Sequence, residues 1–462
     1  MKKISRRSFL AAAGLSVAAL ALTACGGSSA STASSVASSA AASEQPAAAA
    51  SAITWDDIFA TSYSQANRGS NPDAKAPETP EEYIEQKGNG DIMGSMMVGM
   101  VDSLNIPEEH FFPWSPDTPF LYDLTVGTNQ GEEAEFDTVH SYFALRKWSC
   151  APDAHGVLRF CLNDKPILLN GLLDQGYWPE GLYTPPSDAA VERELSEVKA
   201  LGYNLLRKHA KIEPQRWYYH CDKLGLVVWQ DMVNGGSKYN LWFVTYLTNV
   251  LQPLMRRLPD KAALWGLLSR GSESSREEYR RELADTVQAL CCHPCVGCWV
   301  PFNEGWGQYD AAGAVQAIRA LDDTRLVDEA SGWYDQGGGD IYSLHNYFYP
   351  LRVRPQTRTV ALSEYGGIAW PMPGHEPPRK TYGYGTAKSR EELTARYKKL
   401  QLGTVLPQLQ KGLSALVYTQ LTDVEDEVNG LFTYDRTAIK PDANAVRSVN
   451  AALAAEFARV IK

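Results

Sequence analysis

The chain has 462 residues, 44% of them hydrophobic, and a formal net charge of −10. That length exceeds one ordinary domain, and that apolar fraction is enough to bury a sizeable core. An acidic chain with no basic stripe excludes nucleic acid and anionic membrane surfaces as charge-matched partners and leaves uncharged ligands open.

From the amino terminus, Met1 to Ala24 combines Ser5-Arg6-Arg7-Ser8-Phe9-Leu10 with an apolar run through Leu22 and then Leu22-Thr23-Ala24-Cys25. The run is too short to span a bilayer and ends in small residues, which disfavours an uncleaved membrane helix. Residues 1–25 resemble a bacterial lipoprotein signal with a twin-arginine-like element. The resemblance implies export, cleavage before Cys25 and lipid on the Cys25 thiol. Loss of Lys2, Lys3, Arg6 and Arg7 would move the formal charge from −10 to −14. Residues 26–52 are almost all Ala, Ser and Gly, too poor in large apolar groups to offset chain entropy, and read as a flexible tether. Residues 53–110 are rich in Pro, Gly, Asn and Asp and read as irregular.

From residue 165 the chain alternates apolar runs with helical patterns, the rhythm of parallel strands joined by covering helices. The runs are Ile167-Leu168-Leu169, Asn204 to Arg207, Leu226 to Trp229, Val296 to Phe302, Arg325 to Val327, Ile341 to Leu344, Thr359 to Leu362 and Leu413 to Tyr418. Helices are expected over Ser187 to Leu201, with Ser187 as N-cap, and over Ser275 to Leu290 and Glu391 to Leu409. Eight such strands over roughly 250 to 300 residues predict an α/β fold, a (β/α)8 TIM barrel over 151–462 with its site at the carboxyl ends of the strands.

Two of those runs end in glutamates, Glu304 in Phe302-Asn303-Glu304-Gly305-Trp306 and Glu364 in Ser363-Glu364-Tyr365-Gly366-Gly367. A carboxylate where a buried strand ends is costly to desolvate unless it has a task. Two on one barrel face suit a glycosidase that retains configuration, one carboxyl protonating the leaving oxygen and the other attacking the sugar. Other polar residues gather at strand ends: Asp174, Gln175, Arg207, His209, Gln230, Asp231, Asn303, Glu329, His345, Tyr347 and Gln420. Taken singly, His209 or His345 reads as a structural hydrogen-bonded residue, Arg207 as a surface ion pair, Asp231 as a cap and Asp222 as solvated or capping. Their convergence on one barrel end is what individual structural roles do not explain. Seven cysteines follow Cys25; the cluster Cys291, Cys292, His293, Cys295 and Cys298 could hold zinc, but small buried thiols are the ordinary occupants of such a helix-to-strand junction.

The stretch from about Trp114 to Asp442 resembles glycoside hydrolase family 2, the group of β-galactosidases, β-glucuronidases and β-mannosidases. The resemblance is carried by Asn163-Asp164-Lys165-Pro166 with Leu169-Asn170-Gly171, by Gly202 to His209, by Cys221 to Leu226, and by the Asn303-Glu304 and Ser363-Glu364 pairs. It implies Glu304 as acid and then base, Glu364 as nucleophile, and Asn303 on the hydroxyl beside the reacting carbon. It also implies Arg207 and Tyr347 beside Glu364 keeping it ionised, and His209 and His345 lining the sugar pocket. Trp306, Trp333 and Tyr418 are candidate stacking surfaces, and apolar Trp306 together with Glu364 is expected to raise the pKa of Glu304. Full-length members resemble a jelly roll, an immunoglobulin-like sandwich and then the barrel. Residues 111–150 look like the last strands of that sandwich, a partial immunoglobulin-like β-sandwich remnant in an amino-terminally truncated domain set.

The expected function is a retaining, β-galactosidase-like exo-β-glycosidase, exported and lipid-anchored, acting on oligosaccharides or glycoconjugates with no cofactor and no metal. A cell-surface carbohydrate-binding lipoprotein without turnover is the alternative, and another retaining barrel family is a weaker third. The uronate-reading Asn-x-Lys of glucuronidases is not evident: the only such triplet, Asn163-Asp164-Lys165, lies before the barrel. The sugar, the linkage and the oligomeric state are left open.

Overall fold

The computed structural model describes residues 110–128, 137–354, 356–375 and 381–462. The signal, the tether and nearly all of the irregular segment expected before residue 110 lie outside these. The chain divides into two compact units, one holding Phe120–Leu145 and the other Ser115–Pro119 with Arg146–Lys462.

In the first unit, β1 (Tyr122–Thr128) and β2 (Asp137–Phe143) pair antiparallel, from Tyr122 opposite Phe143 to Thr128 opposite Asp137. The Tyr122 and Phe143 rings stack at 4.9 Å, the cross-strand aromatic contact that stabilises such pairs. The β segment expected over 111–150 is thus divided, because β3 (Trp148–Pro152) belongs to the larger unit. There β3 pairs antiparallel with β4 (Leu158–Leu162), and β4 with β5 (Lys165–Pro166). This small sheet covers the amino-terminal end of the barrel. Arg159 on β4 is fully buried, donates to the carbonyls of Leu409 and Leu413, and is neutralised by Asp153 at 2.8 Å.

The barrel strands are β6 (Leu169–Asp174), β7 (Leu205–Lys208), β8 (Val227–Asp231), β9 (Val296–Val300), β10 (Leu326–Val327), β11 (Ile341–Asn346), β12 (Thr359–Gly366) and β13 (Leu413–Thr419). Seven fall on the expected runs, and β6 begins at Leu169, where the run expected over 167–169 ends. They lie parallel in the order β10-β9-β8-β7-β6-β13-β12-β11, and most of them are buried throughout, as strands covered on both faces must be. At the seam between β10 and β11 the Asp340 amide donates to the Val327 carbonyl at 2.9 Å, and the Asp340 carboxylate accepts from the Val327 amide at 2.9 Å. A side chain there completes what a ladder would supply elsewhere.

Helix α1 (Asp188–Ala200) begins as expected, with the Ser187 hydroxyl accepting from the Ala190 amide. It is followed by α2 (Gln215–Leu224), α3 (Glu273–Leu290), α4 (Ala311–Leu321), α5 (Arg390–Lys398, continuing as π and α turns to Leu409) and α6 (Ala443–Val460). The rhythm breaks after β10 and after β11, where the described residues form loops instead of helices.

Asp222, expected to be solvated or capping, is buried at the end of α2. Its carboxylate meets His293 Nδ1 at 2.7 Å and accepts from the Cys295 amide at 2.8 Å. It ties α2 to the entry of β9, and the seven cysteines among the described residues are free thiols. Burial would lower the His293 pKa, but the Asp222 carboxylate and the Cys292 thiol outweigh it and raise it to about 9. With the folded value above the unfolded ~6.5, the pair stabilises fully below about pH 6.5 and loses that contribution as pH rises through about 9. Asp222→Asn should cost about 3 kcal/mol near pH 6, a gap that narrows towards pH 10. Urea midpoints across that range test it, and a constant gap would contradict the assignment.

Candidate active site

Arg207, at the end of β7, is fully buried and has every donor engaged. Nε and Nη2 form a fork on Asp231 at 2.9 and 3.0 Å, Nη2 also donates to Asn303 Oδ1 at 2.7 Å, and Nη1 donates to Glu364 Oε1 at 3.2 Å and the Ser363 carbonyl at 3.1 Å. Asp231 is therefore no helix cap: it is a buried counter-ion from β8. Burial alone would raise its pKa, but Arg207 and His209 hold it below the usual carboxylate value. His209 Nδ1 lies 3.1 Å from Asp231 Oδ2, and that partner outweighs burial and raises the histidine's pKa.

Glu364 reaches this cation because β12 carries an extra residue. Leu344 pairs with Leu362 but His345 pairs with Glu364, so the register slips at Ser363. Such a bulge re-aims the side chains that follow it. Tyr347 donates to Glu364 Oε2 at 2.7 Å and meets Thr419 Oγ1 at 2.8 Å. Arg207 and Tyr347 favour the charged form, as expected, and so does His209, yet burial is the larger effect and the Glu364 pKa is raised. The expectation that its neighbours settle its ionisation is corrected to that extent: desolvation by burial is the larger effect.

Glu304 follows β9 with φ +52, and Gly305 continues the left-handed turn at φ +75, where an added Cβ would stand 2.3 Å from the Tyr334 ring. A carboxyl oxygen of Glu304, one of Glu364 and a nitrogen of His345 lie within 4.8 Å of one another. Burial and then the Glu364 charge push the Glu304 pKa well above its ordinary value. Trp306 acts against the expectation, because its side chain hydrogen-bonds Glu304 and lowers the pKa.

His345 is 2% exposed and resolves the proton inventory. Its Nε2 faces Arg207 Nη1 at 3.3 Å, and a guanidinium can only donate, so Nε2 accepts and Nδ1–H donates to Glu304 Oε1 at 2.8 Å. Burial and Arg207 push its pKa well below the usual value, which keeps the ring neutral. Glu304 Oε1 is thereby an acceptor, and an acid proton belongs on Oε2. The same assignment puts a proton on the nitrogen a metal would need, and Arg207 stands against Glu364. The trio is a hydrogen-bonded set, not an open ligand set.

Two of the proposed stacking surfaces go elsewhere. Tyr418 is 1% exposed, its ring edge-on to Tyr365 and Tyr397, and Trp333 is packed with Met255, Leu268 and Tyr334. Both are core residues because their side chains point inward from the strand and loop that carry them. Trp306 remains half-buried against Tyr239. Glu329 and Gln230 also serve the scaffold: Glu329 accepts from the Gln336 and Gly338 amides, and Gln230 accepts from Tyr218. Sequence reasoning missed Tyr384, which stacks on Tyr347 at 3.6 Å from a loop with no periodic pattern, and the buried Ser331, Ser343 and Ser363 hydroxyls. It also gave no role to a cleft of about 950 Å³, lined by Pro371, His375, Asp423, Tyr434 and Asp435, that includes neither glutamate.

Burial and a neighbouring charge both raise Glu304, and one variant separates them. Glu364→Gln removes the charge and keeps the burial, so the Glu304 midpoint should fall yet stay above the ordinary carboxylate range. Carboxyl-carbon NMR titration of wild type and variant reads this; an unmoved midpoint would mean that the two groups do not interact.

Residues 158–410 match the family described as glycosyl hydrolases family 2, TIM barrel domain. A β-galactosidase of Leuconostoc mesenteroides is 24% identical over 258 residues, 56% of this chain and 21% of the relative. An exo-β-D-glucosaminidase of Amycolatopsis orientalis is 28% identical over 130 residues, 26% of this chain and 12% of the relative. The chain thus spans about a fifth or less of these relatives. Among solved structures, a β-glucuronidase of Dictyoglomus thermophilum superposes with a TM-score of 0.54 at 16% identity, over 75% of this chain and 60% of that one, a likeness of fold. The matched segment runs from β4 to the last turn before β13, more than half of the chain, and the chain belongs to glycosyl hydrolase family 2.

Proposed function

We propose that this protein is a retaining, β-galactosidase-like exo-β-glycosidase that cleaves O-glycosyl bonds of oligosaccharides or glycoconjugates. One observation carries the reading: two carboxyl oxygens, from Glu304 and Glu364, within 4.8 Å. Inverting enzymes hold their carboxyl groups roughly 6.5–9.5 Å apart to admit a water, and retaining ones about 5–5.5 Å for direct attack. Glu364 forms a bond to the anomeric carbon while Glu304 passes its Oε2 proton to the departing oxygen. With the Glu364 charge consumed in the ester, the charge that raised Glu304 is gone, and Glu304 can take a proton from the water that releases the sugar. Asn303, held by Arg207, is placed for the hydroxyl beside the anomeric carbon. His209 and Tyr347 line the same crevice, and Trp306 is the stacking surface that remains.

Wild type should hydrolyse at least one nitrophenyl β-glycoside with the β-anomer released first by proton NMR, and Glu364→Gln should hydrolyse none. Glu304→Gln should lose about 10²–10⁴-fold on poor leaving groups and much less on dinitrophenolate, which needs no proton. Equal rates in wild type and Glu364→Gln would leave a carbohydrate-binding protein.

We also infer a lipid anchor at Cys25, supported by the sequence before it. No helix among the described residues is long and apolar enough to cross a membrane. Expressed in a bacterium, wild type should sediment with membranes and Cys25→Ser should not.

A further inference from the structure

A third carboxylate, Glu427, is held at the barrel end that carries the two glutamates. In the ring of eight strands β9 and β13 lie across from one another. Asn303 and Glu304 follow β9, and Gln420 follows β13. Gln175, just past β6, donates to Gln420 Oε1 at 2.7 Å and to Glu427 Oε2 at 2.9 Å, while Asn429 Nδ2 donates to Glu427 Oε1 at 3.0 Å and its Oδ1 accepts from Gln420 Nε2 at 2.8 Å. These amides hold the half-buried Glu427 carboxylate in one place, next to the strand that carries Thr419 and its bond to Tyr347. Glu427 is also close enough to Glu304 to add to the upward push on its pKa, after burial and Glu364.

A carboxylate offers about four acceptor directions, and Glu427 has one neutral donor on each oxygen. Among the described residues no Lys, Arg or His forms an ion pair with it. The cations at this barrel end are engaged elsewhere: Arg207 with Asp231 and Glu364, Lys208 with Asp174 and Glu213, Lys211 with Glu213, Lys440 with Asp423. Glu427 is therefore a fixed, acceptor-only group with spare lone pairs and no ion-pair partner among the described residues.

We propose that Glu427 determines sugar specificity, accepting hydrogen bonds from the hydroxyls on the C4–C6 side of a neutral hexoside and rejecting uronides, whose carboxylate would sit against it. This rests on the glycosidase reading: with the anomeric carbon at Glu364 and the C2 hydroxyl at Asn303, the far side of the ring points to Glu427. A uronate carboxylate at that place has no donor pair and meets like charge.

The test uses nitrophenyl β-galactoside and β-glucoside, their 4-deoxy and 6-deoxy counterparts, and β-glucuronide. Wild type should favour a neutral hexoside over the glucuronide by at least about 100-fold in kcat/KM. Glu427→Gln should lose at least about 10-fold on that hexoside but under about 3-fold on one of its deoxy analogues, and should narrow the hexoside-to-glucuronide ratio. Ratios within one variant do not depend on how much of it folds. Equal losses on hydroxylated and deoxy substrates, an unchanged ratio, or a wild type that prefers the glucuronide would overturn the specificity role while leaving the glycosidase intact. A wild type inert on every glycoside would remove both.

Discussion

The guanidinium of Arg207 is the constraint on which the crevice depends. A buried arginine is tolerated only when its charge is compensated and its donors are filled, and here filling them recruits groups from several barrel strands. Asp231 comes from β8, Asn303 from the end of β9, and Glu364 and the Ser363 carbonyl from β12. One side chain thereby converts the ends of separate strands into a single polar assembly. The histidine tautomer follows from it as well, because His345 can meet a donor only with a bare nitrogen.

The two glutamates differ through opposing effects of unequal size. Both are desolvated, which pushes both upward, but only Glu364 has Arg207, His209 and Tyr347 against its carboxylate. Glu304 has burial and the Glu364 charge against it, and Arg207 and the Trp306 indole offset only part of the rise. The proton accordingly belongs to Glu304, the division of roles that acid-assisted attack requires. Environment sets this asymmetry, since the residue type is the same at both positions.

Below the crevice, the polar groups are arranged so that little is left charged without a partner. Asp328 has its pKa pushed up to about 6 mainly by burial, partly offset by Arg207, and accepts from Ser343. Ser331, Ser343 and Ser363 share hydroxyl contacts beneath His345. Lys208, Lys211, Asp174 and Glu213 form a second buried set that binds β6, β7 and the following loop. Rigid support of this kind is what keeps two carboxyl groups at a fixed separation.

Hydrophobic runs and helix caps are local properties, so the eight strands, the cap at Ser187 and the places of Glu304 and Glu364 at strand ends were all legible in the chain before any fold was built. The bland readings of Asp222 and Asp231 failed because ion pairing with His293 and Arg207 depends on residues 71 and 24 positions away. Tyr418 and Trp333 were misjudged for a related reason: a ring's face can be assigned only when the neighbours that cover it are known. Likewise the slip at Ser363, the aim of Tyr384 and the amides around Glu427 arise from strand register and loop contact, which no spacing along the sequence encodes. Residue types and their order determined the barrel and its two carboxyl groups; only tertiary packing decided the distance between them, which one keeps the proton, and what else stands beside them.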